Sequence, residues 1–342
     1  MQRNKRITDI TILLTNTRLD ERVIDFPALV STLGQHRVRR FSITNFDARQ
    51  VRVVALFNQL HAVAATTIAH LSVRSCSCFT DDLLTKWNGT KSLLSICLGG
   101  TDVTDDGFAE FAASCPQLQQ IELAGFGFTE ECLLEVASCA DLRYLNVTGC
   151  RKMSMVNTEK IVDVIRCCAG LQDLSLVSKY LQRLGGTQLR EVLRGLRAHT
   201  VDLRYLDVHC ECDFSCGGLR EDMSLFTQRF SDNLRSLKIT SGDHLMGDAF
   251  VGAIASNCRQ LQSLTLYSLQ FDEDSNDSVE DGACVLMRQL LVNNPKMCTL
   301  ELSFYEEVYA ELCEVFIEAG SPWRIENLNL LSLYWITDAS FL

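Results

Sequence analysis

The chain has 342 residues and a mass of 38.4 kDa, of which 47% are hydrophobic and 22% are charged. This composition is that of a folded protein and excludes a long disordered tail. The formal net charge of −11 argues against nucleic acid as the primary ligand, because phosphate binding needs a clustered excess of Lys and Arg.

The chain shows no signal for secretion or membrane insertion. It has no apolar run of about eighteen residues, and charges stand near its start where a signal peptide would be apolar. We therefore expect a cytoplasmic or nuclear protein that does not bind membranes. The sixteen cysteines include the adjacent pair Cys167 and Cys168, and without a secretion signal we expect reduced thiols.

Short apolar triplets with the spacing L-x-x-L-x-L recur along the whole chain. Successive copies begin 24 to 36 residues apart, which is the range of leucine-rich repeats. The last two apolar residues of each copy fit a short strand with both side chains facing inward. Weaker copies are Ile7/Ile10/Ile12, Val38/Phe41/Ile43, Ile68/Leu71/Val73, Met297/Leu300/Leu302 and Ile325/Leu328/Leu330. The clear copies are Leu93/Ile96/Leu98, Leu118/Ile121/Leu123, Leu142/Leu145/Val147, Leu171/Leu174/Leu176, Leu203/Leu206/Val208, Leu234/Leu237/Ile239 and Leu261/Leu264/Leu266.

Signals for helix starts stand between several of the predicted strands. Thr80, Thr104, Thr129 and Thr158 each precede acidic residues, so each Thr is predicted to cap a helix whose positive dipole end the carboxylates stabilise. The segments that follow carry apolar residues at helical spacing. Each repeat is thus a strand followed by a helix, and the repeats must stack because none hides its leucines alone.

We therefore expect residues 1–342 to form a single α/β domain, a leucine-rich-repeat solenoid (horseshoe) of about twelve repeats. Its parallel sheet would be concave and its helices convex. The chain starts inside a first predicted strand and stops where a last helix has barely begun. We expect it to be part of a longer chain or to be capped by a partner, since terminal hydrophobic layers need covering.

Cysteines recur at fixed places in the repeats, where a small thiol can donate to a neighbouring carbonyl. Four of them stand three residues before the first Leu of a repeat: Cys115, Cys139, Cys168 and Cys258. This C-x-x-L-x-x-L-x-L pattern with a following T-D resembles the cysteine-containing repeats of F-box/leucine-rich-repeat proteins, the substrate receptors of cullin-RING ubiquitin ligases. The resemblance covers the whole chain and implies substrate recognition for such a ligase. The repeats begin at Ile7 with no F-box ahead of them, so a missing segment or a separate subunit would have to supply docking to the ligase adaptor.

Alternation along the predicted strands defines a binding surface. Residues beside the two inward Leu face outward, and twelve strands about 4.8 Å apart make a row on the order of 50 Å long, enough for a partner protein. Tyrosines and charged anchors dominate binding at such surfaces. The predicted partner-binding residues are Glu122, Tyr144, Asn146, Asp173, Tyr205, Asp207, His209, Lys238 and Tyr267. In the alternative interpretation, Asp207 pairs laterally with Lys238 and the tyrosines are merely hydrated.

The segment HCECDFSC provides weak candidates for a metal site at His209, Cys210, Cys212 and Cys216. Structural zinc sites usually combine C-x-x-C with a distant second pair, whereas these four residues lie within one short stretch. Packing of the sulfurs in a loop is the favoured interpretation. We accordingly expect no cofactor.

No catalytic motif is present: the chain has no G-x-S-x-G, no phosphate-binding Gly-rich loop and no H-E-x-x-H. The leading hypothesis is a non-enzymatic module that binds a partner protein on its concave face. A second hypothesis is a structural scaffold subunit of a large cytoskeletal or ribonucleoprotein assembly. The third is a metal or redox module at the His209/Cys210 cluster.

Overall fold

The computed structural model describes residues 8–13, 28, 31, 37–46, 51–154, 158–177, 184–211, 218–241, 246–270, 279–304, 310–317 and 325–332. The chain divides into two compact units. The first comprises Met1–Ser154, Asp163–Gly170 and Ser178–Leu181, and the second comprises Met155–Val162, Leu171–Val177 and Gln182–Leu342.

Twelve strands follow one another in chain order, and within each unit every strand pairs in parallel with the next. This confirms the twelve predicted strands. The first unit holds β1 (Asp9–Leu13), β2 (Arg40–Phe46), β3 (His70–Thr80), β4 (Ser95–Asp102), β5 (Gln120–Ala124) and β6 (Tyr144–Asn146). The second unit holds β7 (Asp173–Leu176), β8 (Tyr205–Cys210), β9 (Ser236–Ser241), β10 (Ser263–Leu269), β11 (Thr299–Phe304) and β12 (Asn327–Ser332).

In the described residues a helix follows each strand from β2 to β11. Most neighbouring helices within a unit pack side by side. In chain order they are α1 (Val51–Ala64), α2 (Asp81–Leu84), α3 (Asp105–Ser114), α4 (Cys132–Val136), α5 (Glu159–Cys167), α6 (Gly186–His199), α7 (Leu219–Arg229), α8 (Asp248–Asn257), α9 (Val279–Asn293) and α10 (Ala310–Ile317). None of these helices, as far as the structure describes them, is long and apolar enough to cross a membrane.

The repeated leucines form buried ladders between neighbouring strands. In the second unit the same register position is Leu in β7 to β11, and all five side chains are at most 1% exposed. In the first unit the matching position holds Phe41, Leu71, Ile96, Ile121 and Leu145, again at most 1% exposed. Each ladder residue is covered by the repeats beside it, which is why the strands stack in register.

Several of the described cysteines donate hydrogen bonds to backbone carbonyls, as the repeat pattern predicts. Cys150 Sγ donates to Leu123 O at 3.1 Å, and Cys168 Sγ donates to Cys139 O at 3.3 Å, each bond joining one repeat to its neighbour. Burial raises the pKa of both thiols to about 12. These cysteines therefore stay protonated and serve as small donors in the core.

The Thr–Asp motif has a second role that the helix-dipole argument does not predict. Asp81 accepts bonds from the Thr104 N–H (2.9 Å) and hydroxyl (2.8 Å). Asp105 accepts bonds from the Thr129 N–H (2.9 Å) and hydroxyl (2.5 Å) in the same way. Each carboxylate thus ties its own helix start to the following repeat.

The capping prediction is correct in part. The Thr104 hydroxyl accepts a bond from the Gly107 N–H and caps α3. Thr80 makes no side-chain cap bond, and the N-cap of α4 is Glu131, with Thr129 two residues earlier. Thr158 bonds the Glu191 carboxylate of the next helix. The residues of this motif therefore form hydrogen bonds to the neighbouring repeat more often than they cap their own helix.

We predict that Asp105→Ala lowers the free energy of unfolding by about 2 kcal/mol, because two bonds to a carboxylate are lost. Asp106→Ala is the matched control, since Asp106 lies in the same first turn of α3 and is exposed. Urea denaturation measures both variants. Equal losses would show that the helix dipole alone accounts for the motif.

Candidate functional site

The predicted partner-binding residues lie on alternate positions of the strands, opposite the leucine ladders. Glu122, Tyr144 and Asn146 belong to the first unit, and the other predicted residues belong to the second. We call the outward surface of β2 to β6 the first-unit face and that of β7 to β12 the second-unit face.

An ion pair crosses the first-unit face from β3 to β5. The Arg74 Nη2 atom lies 2.7 Å from both carboxylate oxygens of Glu122. The intervening strand β4 places Gly99 and Cys97 beneath the pair, in register with Arg74 and Glu122 respectively. The Arg74 stem passes over Gly99, where a Cβ would lie in ordinary contact with Arg74 Cγ, at 3.5 Å. Glu122 is therefore engaged within the protein.

The same ion pair shapes its neighbours on the first-unit face. Burial, with the negative charge of Glu122, raises the pKa of the Cys97 thiol to about 11. Burial also raises the pKa of Tyr144. The Asn146 side-chain amide donates to the Tyr144 hydroxyl at 3.1 Å and accepts a bond from the Thr148 N–H at 2.7 Å. Asn146 thus positions Tyr144 and turns the chain after β6.

On the second-unit face, Asp207 lies deeper than the sequence predicts, since it is 7% exposed. Its Oδ2 accepts bonds from the hydroxyls of Tyr205 (3.2 Å) and Ser175 (3.4 Å). Its buried Oδ1 has no hydrogen-bond partner among the described residues. Burial raises the pKa of this carboxyl, and the charge of Lys238 with the two hydroxyl bonds offsets part of that rise.

Asp207 and Lys238 lie side by side on neighbouring strands and interact through their charges. Lys238 lies on β9 at the register position of Asp207 and acts on its pKa as a nearby positive charge. The direct hydrogen bonds come instead from Tyr205 and Ser175. Lys238 is half-buried and carries the one positive charge among the predicted residues of this face.

A second polar centre on this face is Glu301 of β11. Its Oε1 accepts bonds from the Tyr267 hydroxyl (2.6 Å) and the Asn329 amide (3.2 Å), and its Oε2 accepts one from the Thr265 hydroxyl (3.4 Å). The bond to Glu301, with burial, raises the pKa of Tyr267 to about 12. Tyr267 is therefore fixed against β11.

Arg74, Glu301 and Asn329 are site residues missing from the sequence prediction. All three obey the same alternation as the predicted residues, at strand positions in register with Gly99, Thr265 and Glu301. The prediction named residues only from the central repeats. The same alternation of side chains along a strand, applied also to the repeats on either side of these, predicts all three residues.

The remaining predicted residues, Asp173 and His209, lie on neighbouring strands of the second-unit face. Asp173 is half-buried beside Tyr205, and burial raises the pKa of its carboxyl. His209 and Cys210 are consecutive in β8, so their side chains leave opposite sides of the sheet, and Cys210 Sγ donates to Thr240 O at 3.7 Å.

The metal hypothesis stays a prediction. Cys212 and Cys216 lie outside the described residues. Within the described ranges, no group of three or more His, Cys, Asp or Glu side chains is arranged to hold a metal ion.

Comparisons with known proteins identify the fold. No protein-family profile matches the chain, and no curated protein matches it. A chain in the crystal structure of the Rad7 and Elc1 complex in yeast is similar, with a TM-score of 0.55 and 15% identity over 93% of this chain and 86% of that chain. An internalin from Listeria monocytogenes gives a TM-score of 0.46 with 16% identity over 98% and 84% of the two chains. The TLR13–ssRNA13 complex gives 0.46 with 12% identity over 87% and 36%. The first likeness, together with the twelve strands in chain order and the helices between them, shows a leucine-rich-repeat fold.

We predict that Asp207→Asn stabilises the protein by about 1 kcal/mol at neutral pH, because it removes a buried charge with an unpartnered oxygen. The raised pKa means that the wild type is stabilised at low pH, where Asp207 is protonated, and loses that stability as pH rises through the pKa. The gain of the variant should therefore shrink on acidification. Urea denaturation across mildly acidic to neutral pH measures it, with exposed Asp232→Asn as control. A variant less stable than the wild type at neutral pH would contradict this account.

Proposed function

We propose that this protein is a non-enzymatic protein–protein interaction module that binds a partner through the second-unit face. The observation that carries the proposal is the pair of carboxylate–tyrosine centres there, Tyr205 with Asp207 and Tyr267 with Glu301. Both tyrosines are half-buried, so each ring is fixed while part of it stays accessible. Ordered tyrosines lose little conformational entropy on binding, which favours them as anchors.

The charge of the second-unit face favours a basic segment of the partner. Asp173, Asp207 and Glu301 supply three carboxylates, and Lys238 supplies one ammonium group. Residues 241–342 add to this bias, with sixteen Asp and Glu against four Lys and Arg. A Lys or Arg of the partner would meet carboxylates and tyrosine rings together, and both attract cations.

The finer role that we propose is substrate recognition for a cullin-RING ubiquitin ligase. It is supported by the cysteine-containing repeat pattern, which resembles F-box/leucine-rich-repeat receptors, and by the fold similarity to a chain of the Rad7 and Elc1 complex. In this role residues 1–342 act as one repeat domain in the cytoplasm or nucleus, and an adaptor supplies the contact with the ligase. The alternative is a scaffold subunit of a large cytoskeletal or ribonucleoprotein assembly.

Affinity purification of the full chain with quantitative mass spectrometry tests the proposal. We predict that a protein captured by the wild type is lost, by about tenfold or more, with the Tyr205→Ala/Tyr267→Ala double variant. Val201→Ala, at a side chain 62% exposed in the same unit, is the control and should retain the partner. Capture of the same proteins in the same amounts by all three chains would contradict the proposal.

The identity of the captured proteins separates the finer roles. A cullin adaptor among them supports the ligase role, whereas the stoichiometric subunits of one large assembly support the scaffold role. The double variant loses two hydrogen bonds to carboxylates, so its melting temperature should fall. A cooperative thermal transition that stays above the temperature of the capture assay shows that lost capture is not lost folding.

A further inference from the structure

An open trough of about 610 Å³ crosses the ends of four successive strands in the first unit. Its lining comes from the last part of β3, the end of β4, the turn after β5 and the turn after β6. Four strands at a spacing of about 4.8 Å make it roughly 14 Å long, the span of about four extended residues. Its length therefore suits a peptide segment better than a compact metabolite.

One end of the trough presents an exposed aromatic ring beside two cations. The Phe126 side chain is 58% exposed, and the Arg151 guanidinium carbon lies 4.3 Å from the centre of its ring. Lys152, the next residue, is exposed and lines the trough. An apolar platform with adjacent positive charge favours an aromatic side chain followed by a carboxylate.

The exposure of Phe126 is built into the fold. Phe128, two residues on, is fully buried and packs edge-on against Phe108, with 6.0 Å between the ring centres. Between the two, Gly127 lies so close to the residue that follows β4 that a Cβ would come within 1.8 Å of Val103 O. Only Gly fits there, and this tight contact presents Phe126 outward beside the trough.

The middle of the trough carries a hydroxyl group and a carboxylate instead of the aromatic ring and the cations found at its end. Thr101 is 5% exposed, and its Oγ1 has no hydrogen-bond partner among the described residues. Asp102 beside it is exposed and negatively charged, so it would repel a bound peptide that contains several consecutive acidic residues. Ser75, which lines the far end, has a φ of 52°, a left-handed conformation that is uncommon for a residue other than Gly and is a form of local strain.

We propose that this trough binds an extended peptide segment of a partner protein, with an aromatic side chain on Phe126 and a neighbouring carboxylate at Lys152 and Arg151. The proposal rests on the proposed function and adds a second contact for a partner protein, in the first unit. The carboxylate of Asp102 repels a polyanion such as nucleic acid along the same path. One acidic residue beside one aromatic residue is the pattern that the trough selects.

Fluorescence polarisation with defined peptides tests this inference. The probe is a fluorescein-labelled hexapeptide, Ser-Gly-Phe-Glu-Gly-Ser, and its two comparison peptides replace Phe by Ala or Glu by Lys. We expect the probe to bind the full chain about tenfold more tightly than the Ala peptide and about fivefold more tightly than the Lys peptide. Equal binding of all three peptides, or no binding of any, would overturn the proposal.

Variants locate the binding to the trough. Phe126→Ala should weaken the probe about tenfold, whereas Leu134→Ala, which truncates a side chain 50% exposed elsewhere in the unit, should not. Lys152→Glu should reverse the preference between the Glu and Lys peptides, and exposed Lys91→Glu should leave it unchanged. Unchanged probe affinity in Phe126→Ala and Lys152→Glu would place the binding elsewhere and refute the inference.

The double variant Tyr205→Ala/Tyr267→Ala distinguishes this failure from that of the proposed function. It should bind the probe as the wild type does, because its substitutions lie on the second-unit face. Probe binding by the double variant with loss of the captured partner supports both sites. Partner capture that depends on those tyrosines, without probe binding by any chain, refutes the trough alone.

Discussion

The structure depends on one constraint: no repeat buries its own leucines. Leu145 of β6 is 1% exposed only because neighbouring repeats cover it, and Ile121 of β5 lies beside it in register. Each strand must therefore lie parallel to the last one, displaced by one strand spacing, with its apolar residues on one side. The polar residues between them are then forced onto the opposite side. The binding surface is a consequence of how the core is covered.

Hydrogen bonds between repeats fix the position of each repeat against its neighbour, in addition to the apolar stacking. The carboxylates of Asp81 and Asp105 bond the Thr of the following repeat, and buried thiols donate to carbonyls of the preceding one. These bonds recur at the repeat spacing, so the motifs that identify the repeats are also the groups that join them. A side chain on either face is consequently held by a framework with little freedom to adapt, which favours binding through preformed geometry.

Most of the fold could be predicted from the sequence, because the spacing of the apolar residues is a local signal that the stacking must obey. Alternation likewise placed Tyr205, Asp207 and Tyr267 on the outward side. The depth of Asp207 and the partners of Glu122 and Glu301 could not be predicted, since they depend on side-chain conformations across two or more strands. The trough at Phe126 was also beyond sequence reasoning. Its shape depends on the ends of β3 and β4 and on the turns after β5 and β6, which are far apart in the chain.

The most direct measurement of this account compares the stability of two variants that each replace a Leu of the first unit with Asp. Leu145→Asp places a carboxylate inside the stacked core, whereas Leu134→Asp places one at a side chain 50% exposed. Urea denaturation followed by circular dichroism should show a loss of at least about 4 kcal/mol for Leu145→Asp and less than about 1 kcal/mol for Leu134→Asp. Similar small losses in both variants would contradict the claim that burial between neighbouring repeats holds the protein together.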